Sequence, residues 1–373
     1  MTLRRVAAIL FGAALLLANL GGTAARATPL SGFSEMFGTT TGTPLANDYV
    51  NTIVVAGDDI YVGGYFTNFA GVATADAIAR WNGSTEQWEG LGAADGGGSV
   101  FHLGDWVQAI LVDTAGGSIY VGGHFADLAG TTGTANLARF DIAGQSWHAV
   151  GAVGGASVIS GWVNALALEG SSLYVGGRFS DAAGIAAADY IVRGNATACG
   201  FAAEVSGCLV APSIDPPTYW SALGANWGGD GAIPYDVNAI VADPEGGVVV
   251  GGDFGSVDGV AGAPFGRVAH FDALTSTWSS LGGSPTGTVW SLAARNGEII
   301  VAGWDGALRR SATAPTWARP CNILINADVR ALAAPSYSDL FYLGQDSGDG
   351  SLLRCDMGEP LGSGWTSFPT GTV

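Results

Sequence analysis

Lysine is absent from this chain. All 14 of its basic residues are Arg, they face 32 acidic residues, and the formal net charge is −18. Without Lys there is no Schiff-base chemistry of the pyridoxal-phosphate or aldolase kind, and no P-loop lysine on a phosphate. The acidic balance also lacks the basic footprint that holds a nucleic-acid backbone or an anionic membrane surface. Charge of either sign is scarce, at 12% of residues. The only His are His102, His124, His148 and His270, scattered and without a second ligand at metal-binding spacing. No 3.6-residue apolar period runs through the body of the chain, which excludes a helical solenoid.

What is abundant is Gly, with 60 residues, and Trp, with 12. Many aromatics with little charge argue for order, and Gly at this density argues for short strands joined by tight turns. The N-terminal segment is different in kind. Arg4 and Arg5 precede an apolar run over 6–20, and Ala25-Arg26-Ala27 is a small-x-small cleavage site. Residues 1–27 read as a secretory signal peptide, which leaves 28–373 as one secreted, periplasmic or extracellular domain. No later run is long enough to span a membrane as a helix. Export agrees with an even number of Cys, namely Cys199, Cys208, Cys321 and Cys355. Four Cys allow three pairings; the expected one joins Cys199 to Cys208 and Cys321 to Cys355.

A pattern of four short motifs recurs along the chain. It opens with Val-x-Ala-Ile/Leu, followed by an apolar run ending in Gly-Gly. A short apolar run ending in Arg or His, an aromatic and Asp or Asn comes third, and Trp-x-x-Leu-Gly closes the unit. The units fall at about 50–92, 107–151, 163–224, 237–282, 289–317 and 329–368, the last two degraded. The third unit carries a Cys-containing insertion over 195–219. Each motif is a β-branched or aromatic run bounded by turn residues, so each is expected to be a strand. Four antiparallel strands per unit, about six times over, predict an all-β propeller of six blades, with seven as the alternative. Segments 33–38 and 365–368 compete for the outer strand that closes the ring.

The repeats Tyr61-Val62-Gly63-Gly64, Tyr120-Val121-Gly122-Gly123 and Tyr174-Val175-Gly176-Gly177 resemble kelch-type repeats and are similar to Rax2-like cortical-marker repeats. The resemblance implies a propeller like the central domain of galactose oxidase. That enzyme's copper site uses a thioether-linked Cys–Tyr pair, a further Tyr and two His. No such constellation is found here, so the activity is not carried over and no cofactor is expected. A calcium loop at 346–350 is the one weak metal candidate, and it lacks EF-hand spacing.

Antiparallel pairing brings the start of a unit's first strand beside the end of its second. Residues just before Val-x-Ala and just after Gly-Gly therefore gather on one rim, with the long loops 92–105, 151–161 and 224–236. The candidate ligand-binding set on this rim is Tyr49, Asn51, Tyr65, Trp106, Gln108, His124, Trp162, Asn164, Arg178, Asn238 and Asp253. It forms an aromatic, amide-rich arc in the first three units and an acidic arc afterwards. Aromatic faces with amides suit a glycan or peptide. The plain alternative is that the amides satisfy strand ends and the aromatics fill gaps between blades. The expected function is a monomeric binding module for a glycan, peptide or protein. A second reading is a carboxylate-dependent hydrolase or lyase acting on carbohydrate through Asp253, Asp305 and Asp346. A third is a structural cell-surface protein.

Overall fold

The computed structural model describes residues 45–92, 98–151, 155–196, 219–226, 228–257, 266–282, 285–295, 297–311, 316–319, 328–333, 340–345, 352–356 and 365–367. For 340, 341, 345, 352–356 and 365–367 it describes the backbone alone. The described elements are strands and three short 3-10 turns at Phe69–Gly71, Leu128–Gly130 and Ala182–Gly184.

The strands form consecutive antiparallel meanders. The first is β1 (Tyr49–Ala56), β2 (Asp59–Tyr65), β3 (Ile78–Asn82) and β4 (Gln87–Glu89). The second is β5 (Trp106–Asp113), β6 (Ser118–His124), β7 (Leu137–Asp141) and β8 (Ser146–Ala149). The third is β9 (Trp162–Glu169), β10 (Ser172–Arg178), β11 (Ile191–Asn195) and β12 (Trp220–Ser221). The fourth is β13 (Val237–Ala242), β14 (Val248–Gly252), β15 (Val268–Asp272) and β16 (Thr277–Ser280). Then come β17 (Val289–Arg295), β18 (Glu298–Gly303) and β19 (Gly306–Ser311). The last is β20 (Val329–Ala333), β21 (Leu340–Gln345), β22 (Leu352–Asp356) and β23 (Trp365–Ser367). The fold is thus an all-β propeller with four-stranded antiparallel blades.

The expected count of six such blades is corrected to five. The degraded fifth unit makes only a three-stranded sheet among the described residues. Its Trp317 follows no fourth strand, and only an isolated bridge joins Arg309 to Ala318. Of the two candidates for a closing strand, 365–367 pairs with β22, while 33–38 lies outside the described residues.

Each sequence signature has a physical task between blades. At the first Gly of Gly-Gly, a Cβ on Gly63 would stand 2.6 Å from Val107 Cγ1, and one on Gly251 would stand 2.6 Å from Val289 Cγ1. The missing side chain is the space into which the next blade's inner strand packs. At the second Gly, a Cβ on Gly123 would collide with the Trp106 carbonyl of the same sheet. That clash coincides with a bulge between Val107 and Ala109 opposite Gly123 and Gly122. None of these glycines needs a positive φ, so steric room rather than backbone conformation explains the dipeptide.

The Trp of the closing motif reaches back one unit. Trp147 Nε1 donates to the Leu91 carbonyl at 3.1 Å, Trp220 to Gly151 at 3.2 Å and Trp317 to Leu281 at 2.9 Å, and Trp278 donates to Leu223. The Leu-Gly half of one repeat is therefore the acceptor for the Trp half of the next. Indole faces meanwhile fill the seams, as where Trp147 lies 5.1 Å from Phe140 and 5.9 Å from Phe101. The third-strand Arg is structural too. Arg80 bonds Asp59 at 2.7 Å and Glu89 at 2.9 Å, and the fully buried Arg139 bonds Ser118 at 3.1 Å.

Candidate functional site

The rim where inner strands begin is assembled by strand register. Tyr49 pairs with Tyr65, Trp106 with His124, and Trp162 with Arg178. The blades bring these pairs side by side. Tyr65 meets Trp106 edge-on at 6.4 Å, and Trp106 stacks on His124 with centroids 4.4 Å apart and planes 18° apart. Trp162 then stands edge-on to Trp106 at 5.4 Å and to His124 at 5.8 Å, and the Arg178 guanidinium lies 5.5 Å from the Trp162 ring centre. Predicted residues of three blades thus form one continuous row.

The row is exposed at Tyr65, His124 and Trp162 and half-buried at Trp106. Among the described residues, the large apolar side chains left open to solvent are Tyr49, Tyr65, Leu103, Trp162, Tyr235 and Trp304 on this rim, and Leu274 in the β15–β16 turn on the other. Aromatics of this size normally bury most of their surface, and a cluster left open marks a contact surface. Beside Tyr65, a pocket of about 180 Å³ opens between Asp48, Asp76, His102, Leu103 and Asp105.

The amides of the predicted set behave differently. Asn51 Nδ2 donates to the Val107 carbonyl at 3.0 Å, Asn164 to Val237 at 3.2 Å, and Asn238 to Val289 at 3.2 Å. Each amide binds the inner strand of the next blade, with its side-chain N–H groups committed to that seam. Gln108 holds the same position on β5. In the degraded units the position is taken by Trp290 and Arg330, and the guanidinium lies 3.6 Å over the indole. A cation–π contact there replaces an amide–carbonyl bond.

Beyond Arg178 the rim turns acidic. Asp253 N–H donates to the Asp236 carbonyl at 2.9 Å, which sets the two side chains next to each other at the strand ends. Burial lifts the Asp236 carboxyl above the ordinary aspartate range; Arg178 opposes the shift and Asp253 adds to it. Asp253 accepts a hydrogen bond from Thr288 Oγ1 and lies 3.7 Å from Arg267 Nη1. Asp305 accepts from the backbone N–H of Thr286 and of Gly287, each at 2.8 Å, and from Thr286 Oγ1. Burial would raise Asp305, but these donors outweigh it and hold the carboxylate below its usual range. Asp305 therefore serves as a loop cap. Asp346, and the calcium candidate at 346–350, lie outside the described residues. Among the described residues no group of three or more His, Cys, Asp or Glu is placed to hold a metal ion.

The feet of the 195–219 insertion are on the opposite rim, where Asn195 N–H donates to Tyr219 O at 2.9 Å and Ala196 N–H to Ser171 O at 2.7 Å. The insertion itself lies outside the described residues, with Cys199, Cys208 and Cys321. Cys355 is on β22, described by its backbone alone.

Sequence reasoning missed two contributors to the rim. One is the pair Tyr190 and Tyr235. Burial raises the Tyr190 hydroxyl, with Asp236, Asp189 and the Tyr235 phenol adding to the shift and Arg178 opposing it. The other is the Phe that follows each rim residue, Phe66, Phe125, Phe179 and Phe254, buried beneath the loop between the second and third strands. Its recurrence as Gly-Gly-x-Phe was visible in the sequence. It anchors loops whose 3-10 turns hold Ala70, Ala129 and Ala183 at positive φ.

No family model and no curated relative matches this chain. Solved structures do. The extracellular domain of a hybrid two-component system from B. thetaiotaomicron aligns over 87% of this chain at 9% identity and TM-score 0.52, which is 33% of its own length. The GH74 enzyme of Niastella koreensis aligns over 86% at 13% identity and TM-score 0.51, which is 45% of its own length. A chain of the Mitotic Checkpoint Complex aligns over 95% at 12% identity and TM-score 0.50, covering 90% of that chain. The chain thus spans less than half the length of the first two structures. Identities this low carry architecture alone, and what they establish is that this chain is a β-propeller.

Proposed function

We propose that this protein is an exported carbohydrate-binding module that acts through the rim bearing Tyr65, Trp106, His124 and Trp162. The observation that carries the reading is the continuous ring row drawn from three successive blades, with Tyr65, His124 and Trp162 exposed and Trp106 half-buried. Indole and phenol rings offer flat apolar faces that complement the C–H faces of sugar rings, while their N–H and O–H groups meet hydroxyls. The seam amides are frame rather than contact surface in this reading. The repeat is read as kelch-type on its Gly-Gly and Trp signatures. Residues 1–27 are read as the export signal, and the four Cys as two disulfides formed after export.

A glycan array probed with the wild-type protein and with the double variant Trp106→Ala/Trp162→Ala tests the reading. Signal from the wild type that the double variant loses, with its melting temperature retained, supports it. Equal signal from both proteins, or none from either, contradicts it.

A hydrolase reading has one specific observation in its favour, the adjacency of Asp236 and Asp253 with the Asp236 carboxyl shifted upward. Two carboxyls driven apart in proton affinity are the requirement for acid–base cleavage of a glycosidic bond. Hydrolysis of an array-positive oligosaccharide, abolished by Asp253→Asn, would move the function to that class.

A further inference from the structure

We propose that Arg178 anchors the carboxylate of an acidic sugar whose ring rests against Trp162. This rests on the carbohydrate reading above and adds the charge of the ligand. Arg178 is exposed at the end of β10, and among the described residues it has no hydrogen bond or ion pair. The other described rim arginines are tied: Arg267 lies 3.7 Å from Asp253 and bonds Thr286 O at 3.1 Å, Arg319 bonds Asp305 O at 3.2 Å, and Arg330 bonds Asp328 at 3.3 Å. Arg178 thus stands on this rim with no hydrogen-bonded carboxylate among the described residues, although its charge is felt by the Asp236 carboxyl.

Position gives that guanidinium a use. At 5.5 Å from the ring centre it stands well back from Trp162, unlike Arg330, which lies 3.6 Å from the centre of Trp290. Indole surface remains open beside it, since Trp162 is 40% exposed. A pyranose laid on an aromatic face carries a ring carboxylate at its edge, where a guanidinium close to the ring can take it in a two-pronged hydrogen bond.

The remaining charges narrow the ligand. Arg178 and Asp253 both act on the Asp236 carboxyl, and the whole chain is strongly acidic, so a densely charged polyanion is repelled over the Debye length of about 8–10 Å. One carboxylate per sugar, as in a hexuronate, meets Arg178 without stacking charge against the acidic arc. Asp236 is then a competitor for the guanidinium.

Calorimetric titration with a hexuronate trisaccharide, and with the same trisaccharide after reduction of its carboxyls to alcohols, tests this. The wild type is expected to favour the acidic form by about 10- to 100-fold, the range of a charged hydrogen-bond pair. Arg178→Gln should bind both forms equally at the level of the neutral sugar, and Asp236→Asn should widen the preference. Equal affinity of the wild type for both forms, with Trp162→Ala abolishing each, overturns the anchor and leaves the carbohydrate reading intact. A preference that survives Arg178→Gln also overturns the anchor. Failure of both sugars to bind, with a tripeptide bearing a free carboxylate bound in their place, overturns the anchor and the carbohydrate reading together. Arg178 is exposed, so its variants are expected to fold, and their melting temperatures confirm it.

Discussion

The Trp106 indole and the His124 imidazole lie in parallel contact, 4.4 Å apart, because their backbones are directly paired at the ends of β5 and β6. The stack fixes one indole against another blade's Trp162, so the row is held as a preformed surface rather than assembled by the ligand. His124→Ala should weaken glycan binding several-fold by loosening Trp106. As the side chain is exposed, the melting temperature should change little. Calorimetry beside a thermal melt separates the two effects, and an unchanged affinity speaks against a supporting role for the stack.

Val163 fills the space that Gly122 leaves open. Gly122→Ala should therefore destabilise the protein by about 1–3 kcal/mol through overpacking between the second and third blades. Val163→Ala creates a cavity when made alone. Made together with Gly122→Ala, it should cost less than the sum of the two single changes. Denaturant unfolding of the four proteins of this cycle measures the coupling, and simple additivity would show that the two residues do not compete for one space.

Seam bonding by the fourth-strand Trp gives a second stability test. Trp147→Phe keeps most of the ring but strands the Leu91 carbonyl, and should cost about 1–3 kcal/mol. Trp147→Ala removes the plate as well and should cost about 3–5 kcal/mol. Equal costs for the two changes would assign the whole contribution to the seam hydrogen bond and none to the plate.

The architecture was legible because its constraints are local and repeated. Gly-Gly, Val-x-Ala and Trp-x-x-Leu-Gly each mark a strand end where bulk must be absent or present, and their recurrence made the period plain. The rim was legible for the same reason, as strand pairing alone puts Trp106 beside His124 and Trp162 beside Arg178. What could not be read was the direction of contact across seams. Asn51, Asn164 and Asn238 looked like pocket amides, yet they donate to Val carbonyls 51 to 73 residues away. That the fifth sheet has three strands among the described residues was hidden because Trp317 survives there and still bonds Leu281. Asp305 looked like a catalytic acid because the hydrogen bonds that occupy it come from backbone groups nearly twenty residues away.

Asp236 gives the pH test. Its folded carboxyl holds a proton more tightly than an unfolded aspartate, with burial as the first cause. The folded state is then favoured by protonation. This group's contribution to stability is highest below the unfolded value and is lost as pH rises toward the raised folded value. Asp236→Asn should flatten that region of the stability–pH profile and leave the protein relatively more stable at neutral pH. Melts from pH 3 to pH 8 would show it, and identical profiles for the two proteins would place the carboxyl in ordinary solvent.

Indole N–H resonances test the central claim most directly, because the tryptophans divide by place. Trp106 and Trp162 belong to the rim row, while the N–H groups of Trp147, Trp220, Trp278 and Trp317 are bonded to seam carbonyls. Titration of ¹⁵N-labelled protein with an array-positive oligosaccharide should move the Trp106 and Trp162 signals in a saturable way and leave the seam signals in place. Saturable movement of seam signals with Trp106 and Trp162 unchanged would contradict binding at this rim.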